Sequence, residues 1–347
     1  MMEQRDSMQG TKVTTASMVI IVIFITGLVL KLAKPVLFPF FLAIFLSFVL
    51  SPALDFLTRW KIPKAISIIF ILIITFLLIY LLGMLFYSSG KGFASDFPKY
   101  GQKISSILAS FQERLKLSGM ERDPFDWVGQ FDMNKIGGFL LSSIGPFFSF
   151  MSNLFLIFIF LVFILAGRGK TKDKIKTSFG ESRSSKIISV IQNIDSQIQR
   201  YLAIKTVVSF FTGMIATVVL MVLGVDFAIV FGFLTFLLNY IPNIGSIIAT
   251  ALPLTIAVFQ FDTLWPAFWI LLILGITQMT MGNFVEPRLM GQGLGLSPLV
   301  VLFSLFFWGW LWGLPGMILA VPIAAIIKIV CSNIPSLQFV SVLMSKD

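Results

Sequence analysis

Long apolar segments constrain this chain more than any other feature of its sequence. A helix that spans a bilayer needs about 20 mostly apolar residues, and the chain contains several runs close to that length. Five of them lie at 17–32, 36–57, 65–87, 148–166 and 207–223, and three longer or interrupted stretches follow at 227–261, 264–285 and 298–330. The pattern predicts an all-α polytopic membrane protein with about eight membrane segments.

The charge content agrees with a membrane protein. Only 12% of the residues are charged, whereas soluble domains carry about 25%. The net charge is +10, which is typical of nucleic-acid binding or of topology signals beside membrane spans. Because the basic residues cluster next to apolar runs, we expect membrane lipid as a partner and no nucleic acid.

The residue types also limit the chemistry. The chain has no histidine and one cysteine, Cys331, which excludes Ser–His and Cys–His catalysis and histidine-based zinc sites. It contains neither a GxGD motif nor a glycine-flanked serine nucleophile. We therefore expect no enzyme activity, no catalytic residue, no metal site and no cofactor.

Two polar regions separate the spans and indicate their orientation. Region 167–206 holds nine basic and three acidic residues, so the positive-inside rule places it in the cytoplasm together with the 59–64 loop. The N-terminal tail 1–16 and the C-terminal tail 333–347 are then cytoplasmic, while 88–147 is extracytoplasmic. Spans 1–3 occupy 17–87 and span 4 occupies 148–166.

Both polar regions contain an apolar stripe at helical spacing. The stripes consist of Tyr100, Ile104, Ile107, Leu108, Phe111 and Leu115, and of Ile187, Ile191, Ile194, Ile198 and Tyr201. Each predicts an amphipathic helix that lies on the membrane, packs on its neighbours or binds a partner.

The C-terminal region 207–332 contains two apolar segments that are interrupted in the middle. Segment 227–261 is broken around Pro242 and Gly245, and segment 298–330 is broken around Gly313, Pro315 and Gly316. Paired interruptions of this kind indicate the binding site of a transporter. We predict two re-entrant hairpins of opposite orientation, and ordinary kinked spans are the alternative.

A polar cluster lies between the two broken segments, at Gln278, Asn283, Glu286 and Arg288. Glu286 and Arg288 are the only charged residues between Asp262 and Lys328. They either line and gate a polar pathway or mark a solvated span end with a structural ion pair.

Several of these motifs resemble the bacterial autoinducer-2 exporter family. The longest are Asn239-Tyr-Ile-Pro-Asn-Ile-Gly-Ser246, Val285-Glu-Pro-Arg-Leu-Met-Gly-Gln-Gly-Leu-Gly-Leu-Ser-Pro298, Phe307-Trp-Gly-Trp-Leu-Trp-Gly313 and Gly316-Met-Ile-Leu-Ala-Val-Pro322. Phe38-Pro-Phe40, Ser51-Pro52 and Tyr201-Leu-Ala-Ile-Lys-Thr206 also fit. Ser51 and Ala166-Gly-Arg168 depart from the family, in which asparagine and an acidic residue are common.

The resemblance implies a transporter of the bacterial inner membrane. Members of the family are associated with export of autoinducer-2, a small, uncharged, hydroxylated quorum-sensing signal, and other members with sodium/proton antiport. The available amides and hydroxyls favour a small polar uncharged solute. Antiport remains the alternative, with Glu286 as the exchanging carboxylate.

We expect the hairpin tips, Tyr240–Ser246 and Trp310–Gly316, to meet and bind the solute. The expected solute-binding residues are Asn239, Tyr240, Pro242, Asn243, Gly245, Gln278, Asn283, Gly313, Pro315 and Gly316, and the expected gating or coupling residues are Glu286 and Arg288. Alternating access would move the C-terminal unit against a static unit formed by the first spans. We expect the static unit to form a homo-oligomer.

Overall fold

The computed structural model describes residues 17–18, 21–22, 25–117, 145–168, 170–178, 180–291 and 293–346. Helices make up nearly all of this part. They are α1 (Lys34–Arg59), α2 (Lys64–Leu117), α3 (Gly145–Gly167), α4 (Lys170–Ser178), α5 (Glu181–Val222), α6 (Ala228–Leu238), α7 (Ile244–Gln260), α8 (Trp265–Met290), α9 (Pro298–Trp312), α10 (Leu314–Ser332) and α11 (Gln338–Met344). The described residues of the first predicted span are also helical.

Within the described residues, five helices are long and apolar enough to cross a membrane. They are Lys34–Arg59, Lys64–Ser89, Ser184–Val222, Trp265–Met290 and Leu314–Ser332. Many of their large apolar side chains are exposed, for example Phe70 on α2 and Phe268 on α8, as expected of surfaces that face lipid. The protein is a multi-pass α-helical membrane protein. Part of the predicted extracytoplasmic region, 118–144, lies outside the described residues.

Two helices are longer than the predicted spans because a change in polarity is not a helix end. Helix α2 continues from the predicted third span to Leu117, and α5 joins the basic amphipathic region to the span that starts at Val207. The 42 residues of α5 include no proline and a single glycine, Gly213, so no helix-breaking residue separates its polar half from its apolar half.

The chain divides into two compact units. The first comprises Met1–Ser47, Leu156–Ile194 and Gly295–Asp347, and the second comprises Phe48–Phe155 and Asp195–Leu294. Each predicted broken segment falls in a different unit.

The second unit has a core in which small residues allow close helix packing. The buried side chains come from α5 to α8 and the turn after α5: Ala216, Leu220, Val225, Ala228, Ala257, Ala267, Ile270 and Leu274. Glycines bring α5 and α6 together, because a Cβ on Gly213 would lie 2.6 Å from the Gly232 carbonyl oxygen and one on Gly232 would collide with the Thr217 hydroxyl. Such crossings of small residues are common between membrane helices.

Helices α6 and α7 form the first broken segment as a helical hairpin. At its base, the Gln260 side chain donates to the Gly224 carbonyl at 2.7 Å and accepts from the Asp226 amide at 2.9 Å. The start of α6 and the end of α7 are therefore held together, and the Asn239–Asn243 turn lies at the opposite end. The chain breaks at Pro242, as predicted.

Helices α9 and α10 form the second helical hairpin, within the first unit. They are separated by Gly313 alone, whose φ of 75° favours glycine. The Ser304 hydroxyl donates to the Ala320 carbonyl at 2.9 Å across the pair. Near the tip, a Cβ on Gly316 would collide with the Trp308 carbonyl oxygen, so glycine is required for this packing. The membrane depth of either hairpin stays a prediction.

Candidate functional site

The tip of the first hairpin borders a half-open polar cavity of about 260 Å³. All the residues that line it belong to the second unit. They are Lys205, Asn239, Ile241, Pro242, Asn243, Ser246, Gln278, Met279, Gly282, Asn283 and Glu286. Its wall therefore combines four side-chain amides, one hydroxyl, one ammonium and one carboxylate with a few apolar side chains.

Four elements bring these side chains together. Helix α5 contributes Lys205, the turn of the first hairpin contributes Asn239 and 241–243, α7 contributes Ser246, and α8 contributes the rest of the polar wall. On α8 the residues Gln278, Gly282 and Glu286 follow at spacings of four, which places them on one face of a helix. Gly282 leaves that face open, since a Cβ there would meet nothing within 4 Å.

The cavity face of α8 contains a π-helical turn over Met281–Val285. The Glu286 amide donates to the Met281 carbonyl, five residues back. Pro287 accounts for this turn, because its ring has no N–H and would clash with the carbonyl of Asn283 in a regular α-helix. π-Helical turns are frequent at functional sites, where they change the direction of side chains.

The two charged groups of the cavity form a buried ion pair. The Lys205 Nζ lies 2.7 Å from Oε1 and 2.8 Å from Oε2 of Glu286. The Lys205 side chain is 6% exposed and that of Glu286 is 16% exposed, so both have lost most of their contact with solvent. Formally the pair adds no net charge to the cavity.

Two residues of the hairpin turn are fixed by hydrogen bonds to α5. The buried Asn239 donates through Nδ2 to the Ser209 hydroxyl at 3.1 Å. The Tyr240 hydroxyl lies 2.7 Å from that of Thr206, which also lies 2.7 Å from the Leu202 carbonyl. Because Thr206 has one hydroxyl proton and that carbonyl can only accept, Tyr240 is the donor to Thr206.

The turn itself has an unusual backbone at Asn243, with φ 60° and ψ −56°. A positive φ is uncommon outside glycine, and asparagine tolerates it better than most residues. Turn hydrogen bonds pair the amides of Tyr240, Ile241, Ile244 and Gly245 with nearby carbonyls. The polar groups that this tip offers to a solute are therefore mainly side-chain amides.

The cavity collects about half of the residues selected from the sequence. Asn239, Pro242, Asn243, Gln278, Asn283 and Glu286 all line it. Tyr240 and Gly245 do not: Tyr240 is buried against Thr206, and a Cβ on Gly245 would collide with the Leu238 carbonyl oxygen. Gly245 therefore allows the turn to close rather than contacting the cavity.

The remaining selected residues lie elsewhere. The Arg288 side chain is exposed and does not line the cavity, and the ion-pair partner of Glu286 is Lys205. Gly313, Pro315 and Gly316 belong to the other compact unit, so their meeting with the first tip stays a prediction.

Sequence reasoning did not select Lys205 as a site residue, although the sequence contains the signal. The apolar stripe of α5 continues in phase from Ile194 through Ile198 and Tyr201 to Lys205. Ile198, Tyr201 and Lys205 are all buried. A lysine in phase with a buried stripe predicts a buried ammonium that needs an anionic partner.

Comparisons with known proteins agree with this architecture. The profile of the AI-2E family transporters matches residues 18–336. The AI-2 transport protein TqsA of Escherichia coli K12 is 32% identical over 325 residues, which cover 94% of this chain and 93% of that protein. A Borreliella burgdorferi protein, named only as a candidate transport protein, is 31% identical over 94% of this chain and 88% of its own length.

A more distant relative has a different activity in its name. The sodium-lithium/proton antiporter of Halobacillus andaensis is 24% identical over 312 residues, which cover 82% of this chain and 86% of that protein. These relatives are transporters and not enzymes. Since the family profile covers most of its length, this chain belongs to the AI-2E family of membrane transporters.

Proposed function

We propose that this chain exports a small, polar, uncharged solute, with autoinducer-2 as the first candidate, and that the solute binds in the cavity at the first hairpin tip. The candidate rests on the name of the E. coli relative. The class of solute rests on the composition of the cavity.

The observation that carries the proposal is an amide-rich cavity whose two charges neutralise each other. Asn239, Asn243, Gln278 and Asn283 supply donors and acceptors for hydroxyl and carbonyl groups. The Lys205–Glu286 pair leaves no net charge for an ionic solute to neutralise. A volume of about 260 Å³ lies below the 300–1,000 Å³ of pockets for drug-sized ligands, which suits a small molecule.

Flux of autoinducer-2 in proteoliposomes tests the proposal. Vesicles with the purified protein should accumulate and release it faster than protein-free vesicles, and unlabelled solute on the opposite side should accelerate counterflow. Each measurement should be made with and without a proton or sodium gradient. Rates equal to those of protein-free vesicles in both directions would rule out autoinducer-2.

Cation/proton antiport is the second candidate, favoured by one carboxylate in the cavity and by the Halobacillus relative. Glu286 would then exchange a proton for sodium. The occupied carboxylate weighs against it, because Lys205 already contacts both oxygens. Sodium-dependent collapse of a pH gradient in everted vesicles would favour antiport, and Glu286→Gln should abolish it.

We further propose that the second hairpin tip, at Gly313, Pro315 and Gly316, contributes to solute binding and that the protein works as a homo-oligomer. Cysteines placed at Ser246 and Leu314 should crosslink during the transport cycle. Failure to crosslink in any condition would remove Gly313, Pro315 and Gly316 from the site. Light scattering of the purified protein measures the oligomer, and a monomer in every detergent tested would contradict it.

A further inference from the structure

The cavity contains the oxygen groups of a cation site together with a cation supplied by the protein. Sodium and similar hard cations bind carboxylate and amide carbonyl oxygens. Glu286 and four amide side chains line the same cavity. The ammonium of Lys205 lies within hydrogen-bond distance of both carboxylate oxygens, which is the place that a bound metal ion would take.

The two cations exclude each other on electrostatic grounds. A metal ion bound to Glu286 would lie a few ångströms from Nζ of Lys205, and repulsion between unit charges at about 4 Å is strong wherever water is scarce. Lys205 is 4% exposed as a residue, so solvent screens this repulsion poorly. The metal ion could bind only if the ammonium left the carboxylate.

We propose that Lys205 is a resident cation that occupies a latent sodium site at Glu286, so that this chain carries its solute without binding a metal ion. The covalently attached ammonium makes the neutralisation of Glu286 permanent and independent of the salt outside. The inference rests on the proposed function and adds to it that transport through this cavity is not coupled to the binding of a metal ion. Its test measures cation binding and requires no solute flux, so it can fail while the proposed function stands.

Removal of the ammonium should expose the latent site. Lys205→Met keeps an unbranched side chain one atom shorter than lysine and removes the charge, and Lys205→Gln removes the charge but keeps a hydrogen-bond donor for the carboxylate. In both variants Glu286 needs a new cation, and sodium can supply it with help from the amide oxygens. Lys186→Met is the matched control, because Lys186 lies on the same helix and is exposed.

The measurement is the melting temperature of the purified full-length protein in sodium, lithium, potassium or N-methylglucamine chloride at equal ionic strength. Sodium or lithium should raise the Tm of Lys205→Met and Lys205→Gln saturably, by on the order of 2–4 °C or more relative to N-methylglucamine. The wild type and Lys186→Met should show no such difference. The double variant Lys205→Met/Glu286→Gln should lose the response, because it has no carboxylate.

If a variant can be purified, two results would overturn the proposal. One is a folded Lys205→Met or Lys205→Gln protein whose Tm is the same in all four salts. The other is a wild-type protein that sodium stabilises as strongly as the variants. If neither variant can be purified in N-methylglucamine, recovery of folded protein in sodium supports the proposal, and recovery in neither salt contradicts it.

Discussion

Lys205 determines the electrostatic character of the cavity. Desolvation makes an isolated buried charge expensive, and a buried pair keeps its place only while both partners are present. The ammonium of Lys205 contacts both carboxylate oxygens of Glu286, at 2.7 and 2.8 Å. The burial of each charge is therefore tolerated because the other charge is in contact with it.

Removing one member of this pair should destabilise the protein more than removing both. Glu286→Gln leaves the Lys205 ammonium buried without its carboxylate, and breaking a buried pair in this way costs about 3–5 kcal/mol. Lys205→Met/Glu286→Gln removes both charges and should melt at a higher temperature than Glu286→Gln. Thermal unfolding in sodium-free buffer measures this, with the exposed Arg288→Gln as control. A double variant less stable than Glu286→Gln would contradict the expected coupling.

Tyr240 should contribute to the shape of the hairpin turn and not to solute binding. Tyr240→Phe removes the hydrogen bond to Thr206, which should lower stability by about 0.5–1.5 kcal/mol and leave the apparent affinity for the solute close to that of the wild type. Thr206→Val should lower stability by a similar amount, and the two changes together should cost less than their sum. A large loss of solute affinity in Tyr240→Phe, with unchanged stability, would place this hydroxyl in contact with the solute.

At the scale of elements, the sequence predicts where helices break better than where they end. Pro242 lies in the first hairpin turn and Gly313 separates the second pair, because proline and positive-φ glycine act locally. The lengths of α2 and α5 were not predictable from polarity. A change from apolar to polar residues indicates that the helix passes from an apolar environment to water, and it does not indicate that the helix ends. The Lys205–Glu286 pair joins residues 81 positions apart, and no local sequence pattern predicts a contact over that separation.

Close packing of α5 on α6 depends on Gly232, and a matched pair of substitutions tests this. A Cβ on Gly232 would collide with the Thr217 hydroxyl, whereas one on Gly275 of α8 would meet nothing within 4 Å. Gly232→Ala should destabilise the protein by about 1–3 kcal/mol through overpacking. Gly275→Ala should be neutral or slightly stabilising. Comparison of the two melting temperatures measures the difference, and equal values would show that the crossing tolerates a methyl group.

The orientation of the whole molecule remains a prediction from its charge distribution. A single cysteine at Gln112, in a Cys331→Ala background, should react with a membrane-impermeant maleimide on intact cells, because 88–147 is expected outside. A cysteine at Lys186, in the basic cytoplasmic region, should react only after permeabilisation. The reverse pattern at both positions would invert the proposed topology.

The central claim is that the solute passes through the cavity at the first hairpin tip. Gly282 lines that cavity, and a Cβ there would meet nothing within 4 Å, as is also true of Gly275 outside the cavity on the same helix. The most direct measurement is therefore autoinducer-2 counterflow in proteoliposomes with Gly282→Trp or Gly275→Trp. We predict that both variants fold. Gly282→Trp should lose at least about nine-tenths of the flux, because its indole occupies a solute-sized space in the cavity. Gly275→Trp should keep most of the flux. Wild-type flux in a folded Gly282→Trp protein would contradict the account.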